Sequence, residues 1–400
     1  METEPSPEKQ KYIVLIFVGL LYSLGVAYFF ANLPSARLTS DFFPRWHASR
    51  MLLTTGRSIY DWSNAAEISA VTGWPKLHQL GYYYPAYLLL FTAPLSWLPY
   101  QAAHLIWTIV GLWFLWLGII LLARLLLPDF SVNRLTVLLV LVTTSVPVFQ
   151  HTQYAQFNTI GLLALVLTLS ALQREQYLAA GLWAGGLLFK PQLMLVPLFF
   201  LAAWTAFKPE RRRFWLGLGL AGLLLWLAAE ILEPDWVFHF WQSLGSYEPI
   251  RSIIDMVWNP FNLTSLSLMA FTLWLIWRWR NSPARSVAFM GLLAWTINLN
   301  ALIVPMFGMQ HMVLMGLVFV ILLYGFTENY PTAVGGLWWS IIGLLVAGLL
   351  AFIVPLFMAG PTGLQITLSE LVYRFSLPVL SGLASLTLIV TTHPHPPDPL

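Results

Sequence analysis

The chain has 400 residues, 58% of them hydrophobic and 9% charged, with a mean hydropathy of +0.72. Such a composition cannot make a water-facing surface, so a soluble globular protein is excluded and lipid must cover much of the molecule. The net charge of +3 is small and dispersed, which argues against nucleic acid, and the lack of cysteine removes disulfide and thiolate chemistry.

Residues 1–11 read as a charged cytoplasmic tail. The first apolar run, 12–33, has about the ~20 residues needed to cross a bilayer and exceeds a signal-peptide core, so a retained anchor is expected. The polar stretch "RLTSDFFPRWHASRMLLTTGRSIYDW" follows at 37–62, with four arginines and Asp41 in a charge-poor chain. Further spans are expected near 101–126, 135–150, 157–173, 176–189, 191–206, 213–232, 262–278, 286–304, 309–326, 333–357 and 376–392. Breaks are expected around Lys190 and around 305–310, and residues 393–400 form a polar, proline-rich tail. Barrel-type alternation is absent. The expected class is an all-α polytopic membrane protein of about twelve transmembrane helices, with 12–392 as a single domain.

Orientation follows from lysine and arginine. The densest cluster, "KPERRRF" at 208–214, is expected on the cytoplasmic side. Propagation from it places Lys9, Lys11, Arg124, Arg134, Arg174, Arg278, Arg280 and Arg285 on the same side and both termini in the cytoplasm. The proline-interrupted run at 82–99 must then not span, and a helix in the outer interface fits it. Residues 34–99 become a large first external loop, and 233–262 a second. Basic residues thus mark one face, while Asp, His, Gln, Asn and aromatics gather on the other.

Asp41 admits two readings. It either caps the helix beginning at "FFPRW" or serves as a general base that takes a proton from an acceptor hydroxyl. Arg45 lies one helical turn on, where it can orient Asp41 or bind an anion beside it. Lys190, in "GGLLFKPQLMLVP", is a charge in an apolar stretch, costing about 2.5–3.5 kcal/mol on insertion scales, and so marks a site for a lipid phosphate or a snorkelling side chain. His311 in "FGMQHMVLM" is either a packing residue or part of that site. Arg251 and Asp255 form an exposed pair, or Arg251 joins the phosphate site. Gln153, Gln156 and Asn158 can bond sugar hydroxyls or cap the next helix. Trp46, Trp258 and Tyr82 to Tyr84 can pack on sugar faces or anchor at the interface. No phosphate-cradling glycine loop or metal-spaced His and acidic pattern occurs, so neither a metal nor another cofactor is expected.

The ordered series "DFFPRWHASRMLLTTGRSIYDW", "YYYPAYLLLFTAPLSWLPYQAAHLIW", "QYAQFNTIGLLALVLTLSAL", "AAGLWAGGLLFKPQLMLVPLFFL" and "MQHMVLM" resembles glycosyltransferase family 87, over about residues 12–325. That family belongs to the GT-C superfamily and contains polyprenyl-phosphate-mannose-dependent mannosyltransferases. The resemblance implies a GT-C-type bundle whose first external loop carries two juxtamembrane helices, here near 41–56 and 85–97, and a catalytic aspartate, here Asp41. The family's KP pair matches Lys190-Pro191, and its late histidine matches His311. Its GQxN motif appears as Ala155 to Asn158, with Ala155 where glycine is usual. The nearest run to its GNxS motif is "WNPFNLTS", which contains Trp258 and Asn259.

The implied activity is inverting, metal-independent transfer of a sugar from a polyprenyl-phosphate donor to a lipid or glycan acceptor at the external face of the cell membrane. Lys190, Arg45, Arg251 and His311 would hold the donor phosphate. Trp46, Tyr84, Gln153, Gln156, Asn158, Trp258 and Asn259 would contact sugar or acceptor. The rival reading is a transporter or flippase of lipid-linked sugars, which predicts inverted repeats that this chain does not display.

Overall fold

Inside a bilayer every backbone N–H and C=O must pair within the protein, and helices do this locally. The computed structural model describes residues 7–32, 40–74, 80–246, 261–304, 308–359 and 371–392, and among them helices are present and strands are not. Helix α1 is Pro7–Ala31. The first polar segment holds α2 (Phe42–Thr55), α3 (Trp62–Thr72) and α4 (Ala86–Ser96, opening as a 3-10 turn). Then come α5 (Tyr100–Leu126), α6 (Val132–Thr143), α7 (Val146–Gln153), α8 (Asn158–Gln173) and α9 (Tyr177–Ala184). After a 3-10 turn, Gly185–Phe189, follow α10 (Pro191–Ala206), α11 (Arg213–Leu232) and α12 (Trp236–Gly245). The chain continues with α13 (Phe261–Arg278), α14 (Val287–Ile303), a 3-10 stretch Met309–Leu314, α15 (Met315–Asn329), α16 (Val334–Ala359) and α17 (Leu377–Thr391).

Among the described residues, six segments are long and apolar enough to cross a bilayer: Ile13–Ala31, Tyr100–Leu126, Pro209–Leu232, Met309–Asn329, Pro331–Ala351 and Val372–Thr391. Helices α6 and α7 pass that test only as a pair, bent by 57°. The other segments expected to span form shorter apolar helices. Helix α4 has 3 residues of 3-10 and 8 of α geometry, too few for the ~20 that a crossing needs.

The shorter helices pack by removing side-chain volume at crossings. A Cβ on Gly181 of α9 would lie 2.0 Å from the Phe214 carbonyl oxygen, and one on Gly217 of α11 would lie 2.1 Å from that of Leu178. No larger residue fits at either position.

Helix α10 is spliced by a side chain. Pro197 has no N–H, so the Leu193 carbonyl loses its helical donor. The Asn300 amide of α14 supplies one from Nδ2 at 2.9 Å, bonds Gln192 O at 3.1 Å, and accepts the Val196 N–H at 3.1 Å. This fixes the start of α10, and with it Lys190.

At the far end of α10, Arg211 donates to the carbonyls of Arg280 at 2.9 Å and Ser282 at 3.5 Å. The basic turns at 208–213 and 278–285 therefore meet, about 24 Å along a 16-residue helix from Lys190. Basic turns and polar cluster occupy opposite ends, as the charge pattern requires.

The first polar segment is held by charge. Arg57 donates to Glu67 Oε1 at 2.5 Å, and His47 Nε2 lies 3.1 Å from Glu67 Oε2. Glu233, buried at the end of α11, accepts from Ser58 Oγ at 2.5 Å and the Ile59 N–H at 3.1 Å. Asp61 caps α3 through the Ser63 N–H at 2.7 Å, which holds its carboxyl below the ordinary range.

Burial lowers the His47 imidazole despite the neighbouring Glu67, and the Arg57 guanidinium holds Glu67 low. Both folded values are depressed, so their stabilisation is full above the unfolded values and lost as pH falls through the folded ones. Thermal unfolding should therefore weaken from the imidazole range downward, with a second loss in the carboxylate range. In Glu67→Gln the carboxylate step should shrink to the part that Asp61 supplies.

Candidate active site

Asp41 stands at the start of α2, where capping would be its ordinary role. Its side chain makes no cap bond; Ser40 Oγ accepts the Phe42 N–H at 3.1 Å instead. The Asp41 backbone N–H is pinned to the Tyr154 carbonyl at 2.9 Å, and its carboxylate accepts a hydrogen bond from Gln156 Nε2. The capping reading is thereby displaced, and the carboxylate is free of helix duty.

Gln156 reaches Asp41 because the chain turns sharply between α7 and α8. Ala155 adopts φ +46°, the left-handed region that an L side chain disfavours by about 1–2 kcal/mol. This is where the family motif usually has glycine, and the conformation gives the reason. Ala155→Gly should raise stability by about 1 kcal/mol, read as a higher midpoint of thermal unfolding.

A chain of side-chain hydrogen bonds continues inward. Lys190 Nζ donates to Gln156 Oε1 at 2.5 Å and to Asn158 Oδ1 at 3.1 Å. Lysine can only donate, so both amide orientations are fixed by chemistry. Gln156 must turn its NH2 to Asp41, standing between carboxylate and ammonium. Asn158 must turn its NH2 away from Lys190, where its two hydrogens face Gln310 O at 2.8 Å and His311 Nδ1 at 3.0 Å, with His151 Nδ1 farther off at 3.3 Å. An amide nitrogen cannot accept, so with its hydrogens placed this way His311 accepts at Nδ1 in the tautomer that carries its proton at Nε2.

Arg45, one turn after Asp41, is buried with its Cζ 4.7 Å from the Tyr84 ring centroid, and Lys190 Nζ lies 5.7 Å from the same ring. Among the described residues the Arg45 Nε has no hydrogen-bond partner. Two buried cations therefore share one aromatic platform, with Asp41 as the carboxylate beside them. Two basic side chains thus face one carboxylate in a buried setting. Among the described residues, no three His, Asp or Glu side chains group as a metal site would need.

Of the residues singled out in the sequence, Asp41, Arg45, Tyr84, Gln156, Asn158, Lys190 and His311 come together. Gln153 ends α7 half-buried and takes no part in this chain of bonds. Trp46 is buried, donates from Nε1 to Leu95 O at 3.2 Å, and packs at 5.5 Å on Tyr100, which ties α2 to α4. Arg251, Asp255, Trp258 and Asn259 lie outside the described residues. His151 was not singled out; its polarity was visible in "QHTQYAQFN", but only the turn at Ala155 brings it back to Asn158.

The model of glycosyltransferase family 87 matches residues 82–305. The chain belongs to glycosyltransferase family 87. It is a membrane glycosyltransferase, as family membership and the apolar helices together require. The family 87 match contains Tyr84, Gln156, Asn158 and Lys190, while Asp41, Arg45 and His311 reach the site from either side of it. No curated protein and no solved structure matches the chain.

Proposed function

We propose that this family 87 enzyme transfers a sugar from a polyprenyl-phosphate donor to a lipid or glycan acceptor at the external face of the membrane, with inversion. The observation carrying this reading is the pair of buried cations, Arg45 and Lys190, on Tyr84 beside a single carboxylate. A net positive, water-poor site at one end of a helix bundle suits a phosphate whose lipid stays in the bilayer.

In the reaction, Asp41 accepts the proton of an acceptor hydroxyl. The freed oxygen attacks the anomeric carbon opposite the phosphate, and the bond between that carbon and the phosphate oxygen breaks. The electron pair leaves on the polyprenyl phosphate. Lys190, Arg45 and the His311 Nε2–H meet that developing charge with donors already in place, the form of stabilisation that lowers the barrier most. The Gln156 amide keeps Asp41 and Lys190 from collapsing into a direct ion pair, so each faces its own substrate. Arg251, Trp258 and Asn259 belong to the same reading as phosphate and sugar contacts. So do the cytoplasmic placement of the basic turns and both termini, and the count of about twelve crossings.

The test is to incubate the purified enzyme with a panel of polyprenyl-phospho-sugars and candidate acceptors and identify products by mass. Transfer with release of polyprenyl phosphate supports the reading. Movement of intact donor across vesicles without bond cleavage, or transfer only from nucleotide sugars, would sink it.

A further inference from the structure

The bend between α6 and α7 opens a groove of about 350 Å³ against α1. Tyr22, Gly25 and Phe29 form one wall, and Thr144, Val148 and Phe149 the other. Phe30 and Phe149 meet edge-on at 5.1 Å, while Phe29 and Phe149 remain 56% and 40% exposed. Threonine hydroxyls along the groove are turned into their own helices: Thr144 Oγ1 bonds Val140 O at 2.8 Å and Thr152 Oγ1 bonds Val148 O at 2.8 Å. Apart from the Tyr22 hydroxyl the lining therefore offers hydrocarbon, which suits an apolar chain better than a sugar.

The groove also runs toward the site. Thr152, in the last turn of α7, lines it, and two residues on Tyr154 accepts the backbone N–H of Asp41. On the other side of that turn lies His151, bonded to Asn158.

We infer that this groove binds the donor's polyprenyl chain beyond its first isoprene unit. The inference rests on the proposed donor. A chain whose phosphate is held at Lys190 and Arg45 meets the groove at a high effective concentration, which no bulk lipid does. Each buried methylene then adds about fourfold in affinity.

Gly25 provides the test, because a Cβ there meets nothing within 4 Å and Gly25→Phe can fill the groove without moving the backbone. Transfer is measured with two donors of the same sugar, one carrying a long polyprenyl chain and one a single isoprene unit. In Gly25→Phe the KM for the long-chain donor should rise about tenfold, with the one-isoprene donor and the acceptor KM unchanged. Phe149→Ala, which removes the opposite wall at an exposed position, should likewise reduce the preference for the long chain. An unaltered long-to-short ratio in both folded variants overturns the inference and leaves bulk lipid as occupant. A rise confined to the acceptor KM overturns it in favour of an acceptor chain. Failure of the unsubstituted enzyme to use either donor removes the donor reading itself, a result distinct from both.

Discussion

Asp41→Asn should lower transfer by about a thousandfold, within the 10²–10⁴ that general-base catalysis supplies. The substitution is nearly isosteric, and the asparagine oxygen can still accept from Gln156 Nε2, so the bonds from Gln156 to Lys190 and from Lys190 to Asn158 survive. What is lost is the capacity to take a proton. The fall should therefore appear in turnover at saturating donor, with the donor KM little changed. Since the Asp41 carboxylate does not cap α2, the thermal midpoint should scarcely move. Near-normal turnover in a folded Asp41→Asn enzyme would move the base elsewhere.

The parts of this site that were readable in the sequence are those whose chemistry conflicts with their surroundings. Asp41 and Lys190 are charges beside or within apolar runs, and a bilayer protein keeps such charges only with partners. Gln156 and Asn158 were visible as polar residues at a helix edge, yet their orientation was not, because it depends on Lys190 donating from a helix start 34 and 32 residues away. Arg57 is the opposite case. One of the four arginines crowded into the first polar stretch, it pairs with Glu67 across the turn into α3, a separation of 10 residues that helical spacing does not reveal. Helix α3 itself, "WSNAAEISAVT", is short and weakly apolar, and its evidence lies in the Asp61 cap. Trp46 shows the same limit, since an aromatic suited to a sugar face can equally close a helix–helix contact. Ala155 mattered most where the family pattern was broken: the motif asks for glycine, and the backbone there takes the conformation that glycine prefers.

Lys190→Met carries the second large effect. Methionine keeps the apolar stem within a buried position and removes only the ammonium. Charged donors aimed at a leaving oxygen are worth about 10²–10³ in rate, so kcat/KM for the polyprenyl-phospho-sugar should fall by that factor. The acceptor KM should change little, because Asp41 keeps its own bond to Gln156. A merely structural lysine would behave differently. Its removal leaves Gln156 Oε1 and Asn158 Oδ1 without their donor, which loosens Asp41 and His311 together and weakens donor and acceptor use alike. The ratio of the two kcat/KM losses therefore separates the roles, where overall activity does not. Lys190→Arg sharpens the comparison. Its charge persists, but its planar fork cannot reproduce the two bonds to Gln156 and Asn158. If the charge at the phosphate dominates, Lys190→Arg should recover donor use well above Lys190→Met. If the amide bonds dominate, the two variants should be equally impaired.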